Sequence, residues 1–289
     1  MAVTVKSVQV DLFWGPNCQM DADEAIYGEI KETLEKLRQL SEVDELFTTL
    51  IQCYWEFESE RNKLRNFLHM FGAKEKQIET FRDMNIKLMS ALTWSRCFFD
   101  IGSTYFRDQG FPKRHALKNN NFSFLLIEHI RNKSQHNMLP IHSVNYSSDP
   151  RKSPQEQNAP EYSFSKERIA HLPIQNNNSY EKTDRDQILA RAEAEFDISS
   201  HLYAYIQTIR IEFIKFRKEM AEYRTTSCKR LRDILGSFYE LNHDGVIILE
   251  DEESGSDLLL SKYEIEELEK AQKDLSMYLE YAMKFSPSA

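Results

Sequence analysis

Turn-forming residues are scarce in this chain: 8 glycines and 8 prolines punctuate 289 residues, so most of the backbone runs unbroken. Architectures made of many short strands need a tight turn every several residues, whereas helices need none. The unbroken runs are rich in Glu, Lys, Leu, Ala and Gln, which lose little side-chain freedom on entering a helix. The expected fold class is therefore mainly α. With 41% hydrophobic and 12% aromatic residues, the chain has the material for a core of its own.

Taken in order, Val3 to Trp14 alternates and closes on Gly15-Pro16, which predicts a short edge strand. Asp21 or Asp23 then caps a helix whose apolar positions Ile26, Ile30, Leu34 and Leu37 recur at helical steps. Helical pattern continues from Glu45 to Phe71 and stops at Gly72. A helix from about Lys74 to Phe106 is apolar on more than one side, which predicts the central, most buried helix. Asp108 to Asn121 breaks the pattern with Gly110, Pro112 and three asparagines. The next helix starts at Phe122 and ends before Pro140. Two strand-like stretches around a polar loop follow, a β-hairpin insertion over about residues 139–170.

Helical periodicity returns from Asp184 to Ala194 and from Ile198 to Met220, with Asp197 as the cap between. Beyond Tyr223 come a helix through Leu235, a strand from Val246 to Leu249, an acidic loop from Glu250 to Asp257, and a last helix. Ser261 and Glu264 form a capping-box pattern at its start, with Leu260 and Ile265 as a staple. This predicts a helical domain over residues 1–222, with an N-terminal strand and the hairpin insertion, and a helical extension over 223–289 packed on it.

Composition narrows the chemistry. A net charge of −9 gives no long-range attraction for nucleic acid or anionic membrane, so any phosphate ligand needs a local basic patch. Cys18, Cys53, Cys97 and Cys228 are far apart, without C-x-x-C or zinc spacing, as expected of reduced thiols in a cytoplasmic protein. No run reaches the roughly 18 apolar residues of a membrane span, and no leader pattern is present, so no membrane partner is expected. P-loop, H-E-x-x-H and G-x-G-x-x-G motifs are all missing, and the acidic loop lacks EF-hand spacing; no metal or cofactor is expected.

The helix beginning at Phe122 ends in Arg131, Asn132 and His136, an R-N-x3-H pattern near a helix C-terminus. In a helical context this resembles the HEPN superfamily, and the wider IRN, QH and LPI elements look like bacterial HEPN-related proteins of defence and mobile-element loci. The resemblance runs from about Asn85 to near residue 209. It implies an antiparallel helical bundle, a homodimer, and a metal-independent endoribonuclease acting in phage defence or as a toxin, with an antitoxin or regulatory protein as a further partner. A catalytically silent HEPN-like dimeric scaffold or sensor, binding nucleotide, RNA or a protein, is the alternative.

Metal-independent RNA cleavage through the 2′-hydroxyl needs a base, an acid and positive charge on the phosphate. His136 can exchange protons near neutral pH, and Arg131 stays charged and can hold two phosphate oxygens. Asn132 can orient the phosphate or the imidazole, and Glu128, four residues earlier, can position that amide. Asn132 and His136 share a helix face, whereas Arg131 lies well around it and leans towards the N-terminus. Convergence therefore needs an unwound helix end or a second protomer. Apolar residues on two sides, Phe124 and Ile127 against Phe122, Leu126 and Ile130, fit a helix with two neighbours, one of them a partner subunit, and equally a core helix buried on all sides. Lys113, Arg114, Lys118, His129 and Lys133 are candidate RNA contacts, with His115 and His142 nearby. Against these stand plainer roles: helix-end charge for Arg131 and His136, and solvated loop residues for the others.

Overall fold

The structure is a computed structural model that describes residues 3–8, 19–22, 24–67, 74–134, 140–141, 143–146, 160–171, 179–191, 195–239, 246–251, 256–261 and 263–270. It is mainly helical, and no described helix is long and apolar enough to cross a membrane. The elements, in chain order, are β1 (Val3–Val8), β2 (Gln19–Ala22), α1 (Glu24–Phe67), α2 (Lys74–Phe106), α3 (Arg114–Asn120), α4 (Phe122–Ser134), β3 (Ser143–Tyr146), β4 (Pro160–Ser165), α5 (Lys166–His171), α6 (Ser179–Arg191), β5 (Glu195–Asp197), α7 (Ile198–Tyr239), β6 (Val246–Asp251) and β7 (Ser256–Ser261). Residues 263–270 are also helical.

The chain divides into two compact units, Met1–Glu45 with Arg217–Ala289, and Leu46–Phe216. The division differs from the sequence expectation of one domain to residue 222, because the first 45 residues group with the C-terminal ones. Strand pairing is the reason. An antiparallel sheet of order β2-β1-β6-β7 joins the two ends of the chain, with Val5 opposite Leu249. β1 is consequently an inner strand, not an edge strand. Asp21, read as a helix cap, sits in β2, while Asp23 and Gly72 lie outside the described residues. Much of the acidic stretch is strand too, its ends pairing as Glu250 with Asp257 and Asp251 with Ser256. Ser261 belongs to β7, and Glu264 receives a 2.7 Å bond from Arg38 Nε. In the helical part of this unit Ile30, Leu34, Leu37, Leu40 and Val43 of α1 are buried, as their spacing requires. Asp44 is buried between Arg217 and Arg224, the latter at 2.8 Å. Burial pushes its carboxyl up, and the two guanidiniums oppose that.

The second unit is built on aromatic packing. Phe98 meets Phe213 at 5.2 Å between ring centroids and Phe111 at 5.1 Å, and Phe124 meets Tyr205 at 4.6 Å. α2 ends where Gly110 takes the left-handed conformation, φ 82°, so that Phe111 N–H can reach back to Phe106 carbonyl at 3.3 Å. Phe111 then folds over Gly102, where a Cβ would stand 2.0 Å from its ring. Asp108 to Asn121 is not all loop: α3 occupies half of it, and Asn121 caps α4 by accepting from Phe124 N–H at 3.1 Å. Asp197 caps α7, accepting from Ser199 and Ser200 N–H at 3.1 Å each. A three-stranded antiparallel sheet, order β3-β4-β5, lies in this unit, and the residues joining β3 to β4 fall outside those described.

The apolar pattern of α2 predicts the most buried helix, and α4 is buried more completely. α2 leaves Ile78, Ile86 and Trp94 exposed, and Ile86 and Trp94 line a shallow apolar groove with Met89 and Thr93. α4 is the buried one: Phe124 to Arg131 is buried without interruption, and Lys133 with it. Both apolar faces of α4 are buried from Phe124 to Arg131, and Phe122 is half-buried.

Candidate functional site

The apolar run of α4 drives the helix into the core, and the polar residues that follow are drawn in with it. Glu128, His129, Arg131 and Lys133 are 2%, 2%, 4% and 6% exposed. Buried charge must be paired, and α4 solves this on two sides.

On one side stands Glu128. Tyr205 of α7 donates to its Oε1 at 2.8 Å, and Ser95 Oγ of α2 lies 2.8 Å from the same phenol oxygen. Glu128 Oε2 faces Arg114 Nε at 3.0 Å and Arg131 Nη2 at 3.6 Å. Burial pushes the Glu128 carboxyl up from its ordinary range, while Arg131 and the Tyr205 hydrogen bond pull it back. The Tyr205 phenol is raised by burial and by the neighbouring carboxylate. Arg131 Nη2 also donates to Asn132 Oδ1 at 2.5 Å. Arg131, rather than Glu128, is thus what holds the Asn132 amide.

On the other side stands His129. Neither ring nitrogen has a hydrogen-bond partner among the described residues; the Arg185 Nε of α6 also makes no hydrogen bond but faces Asp186 Oδ1 at 3.6 Å. Burial, then Lys133, Lys118 and Arg185, hold the imidazole down to about 4, so the ring is neutral at physiological pH. Lys133 pairs with Glu181, and Lys118 of α3 pairs with Asp184, both carboxylates coming from α6. Burial and the Arg185 charge lower the Lys133 ammonium.

Of the candidate residues, Arg131, Asn132, Arg114, Lys118, His129 and Lys133 thus come together around the end of α4. Lys113 stays exposed at the entry to α3. The basic residues do not form an open track, since Arg114, Lys118, Arg131 and Lys133 each meet a carboxylate. His136 and His142 lie outside the described residues. The chain is pinned just beyond His136, where Asn85 of α2 accepts from Ile141 N–H at 3.0 Å. Sequence reasoning passed over Tyr205, Ser95, Glu181, Asp184 and Arg185. Glu181 and Asp184, three apart on a polar helix, were the one visible signal. Among the described residues no group of three or more His, Cys, Asp or Glu is arranged to hold a metal ion. Comparison with protein-family models, curated proteins and solved structures found no match to this chain.

Proposed function

We propose that the chain is a metal-independent endoribonuclease of the HEPN type, acting through Asn132 and His136 with Arg131 behind them. The observation that carries this reading is the bond from Arg131 Nη2 to Asn132 Oδ1 at the end of α4. A guanidinium can only donate, so the amide oxygen is committed to it and the amide NH2 remains as a donor on a half-buried side chain. Such a donor, backed by a fixed positive charge, suits the developing charge on a phosphoryl oxygen. Arg131 is then a positioning residue rather than the direct phosphate ligand its charge first suggests. His136 supplies the proton transfer: the 2′-hydroxyl loses its proton, its oxygen attacks phosphorus, and the 5′-oxygen leaves with a proton, giving a 2′,3′-cyclic phosphate. A place in phage defence or a toxin system, with an antitoxin or regulatory partner, belongs to the same proposal and rests on the sequence resemblance.

The test is RNA cleavage by the purified protein in excess chelator. His136→Ala is expected to lose about 10²-fold or more, and Asn132→Ala about 10²-fold, with circular dichroism unchanged. Cleavage unaffected by either substitution would sink the reading. One observation favours a silent scaffold or sensor instead: Arg131 is 4% exposed and closed on Glu128. That reading predicts no cleavage of any cellular RNA by the wild type.

A further inference from the structure

We propose that Lys118, Lys133 and His129 form a binding site for an RNA backbone phosphate, which Glu181 and Asp184 of α6 fill as carboxylate stand-ins. The proposal rests on the endoribonuclease reading for its ligand and on the α3, α4 and α6 contacts for its site.

α6 is poorly anchored by apolar burial. Of residues 181–191 only Ile188 is buried, and the rest are half-buried or exposed. Few apolar contacts and much solvent-exposed backbone mark a segment that opens at low cost. Its two inward carboxylates nevertheless reach lysines on two different helices, Lys118 of α3 and Lys133 of α4. Their spacing of three residues places them on one face of α6.

Those carboxylates leave the site incomplete. The His129 ring is 2% exposed, with both nitrogens lacking a hydrogen bond among the described residues, and Arg185 Nε, 3.6 Å from Asp186 Oδ1, makes no hydrogen bond either. Leaving buried donors and acceptors unmade is costly, and native structures seldom tolerate it without a use for the group. Three cations, Lys118, Lys133 and Arg185, act on that neutral ring. A carboxylate offers two oxygens in a plane, and here each carboxylate meets one lysine through one oxygen. A phosphodiester offers tetrahedrally disposed oxygens that can accept from both ammonium groups and from the imidazole N–H together. The position is also right for the reaction: Asn132 lies three residues from His129 and is its neighbour on the helix surface. A strand whose scissile phosphate sits at Asn132 passes the lysines with an adjacent phosphate.

Binding of a short 2′-O-methyl RNA, which cannot be cleaved through a 2′-hydroxyl, tests this without reference to catalysis. By fluorescence anisotropy, Glu181→Gln/Asp184→Asn is expected to bind about tenfold more tightly than wild type. A charge-matched control on α2, Glu79→Gln/Asp83→Asn, should gain much less, and adding Lys118→Ala should remove the gain. If the double variant does not fold, hydrogen exchange of the wild type decides: α6 amides should exchange faster when RNA is bound. No gain over the control, or α6 exchange unchanged or slowed by RNA, overturns the proposal. Wild-type cleavage that persists alongside such a result leaves the endoribonuclease reading standing without this site. Tighter binding without any cleavage retains the site and removes that reading.

Discussion

Glu128 and His129 are adjacent on α4, equally buried, and treated in opposite ways by their surroundings. Glu128 is met by a phenol and two guanidiniums drawn from α7, α3 and its own helix. His129 is met by cations that repel its charged form, and its ring nitrogens make no hydrogen bond among the described residues. Glu128 Oε2 and Arg131 Nε also make no hydrogen bond among the described residues, but their charges are paired, whereas nothing there compensates the His129 ring. Paired charge fixes a packing arrangement, and an uncompensated ring retains bonding capacity. The first side therefore reads as architecture that aims Asn132, and the second as a place for a ligand.

The comparison breaks most severely at Glu128. Replacing it with Ala strands Arg131 and Arg114 beside a buried gap, and should cost about 3–5 kcal/mol in urea denaturation. Next in size is the pH response of His129. Its pKa is near 4 in the folded protein and about 6.5 when unfolded, so between these values the unfolded chain binds more protons. Its contribution is present above about pH 6.5 and is lost as pH falls towards 4, on the order of 3 kcal/mol in all. Glu128 acts with the opposite sign, since a raised folded pKa means that its protonation favours the folded state. Comparing urea midpoints at pH 7 and pH 4.5 for wild type and His129→Leu isolates the histidine: the variant should lose less on acidification.

Tyr205→Phe should cost about 1–3 kcal/mol, because it removes the donor to Glu128 and leaves that oxygen buried and unpaired. At neutral pH His129→Leu should not destabilise and should gain up to about 1–3 kcal/mol, since it removes two buried nitrogens that make no hydrogen bond among the described residues. An equal loss from Tyr205→Phe and His129→Leu would erase the distinction between the two sides.

Local chemistry made several elements legible in advance. The bounds of α2, Lys74 to Phe106, follow from its periodicity and the Gly110-Pro112 stop, and the Asp197 cap follows from its place between two apolar repeats. What periodicity does not report is the neighbour. An apolar residue such as Ile86 looks alike whether it is covered or exposed, so α2 was expected to hold the buried position that α4 takes. β1 reads as an edge strand because its inner-strand partner, β6, is more than two hundred residues away. The candidate site shows the same limit. The end of α4 reads as a basic cluster because Arg131 and Lys133 lie only two positions apart in the chain, while two of the acids that neutralise the cluster arrive from α6 and the phenol that orders it from α7. Tyr205 lies within an apolar helical repeat and signals nothing but core until its hydroxyl is seen against Glu128.

The most direct measurement is the chemistry of the RNA ends that the wild-type protein produces in excess chelator, with His136→Ala beside it. Fragments ending in 2′,3′-cyclic phosphate, and none from the variant, are the result predicted for a 2′-hydroxyl attack served by His136. Fragments ending in a 3′-hydroxyl, or the same products from both proteins, would contradict it.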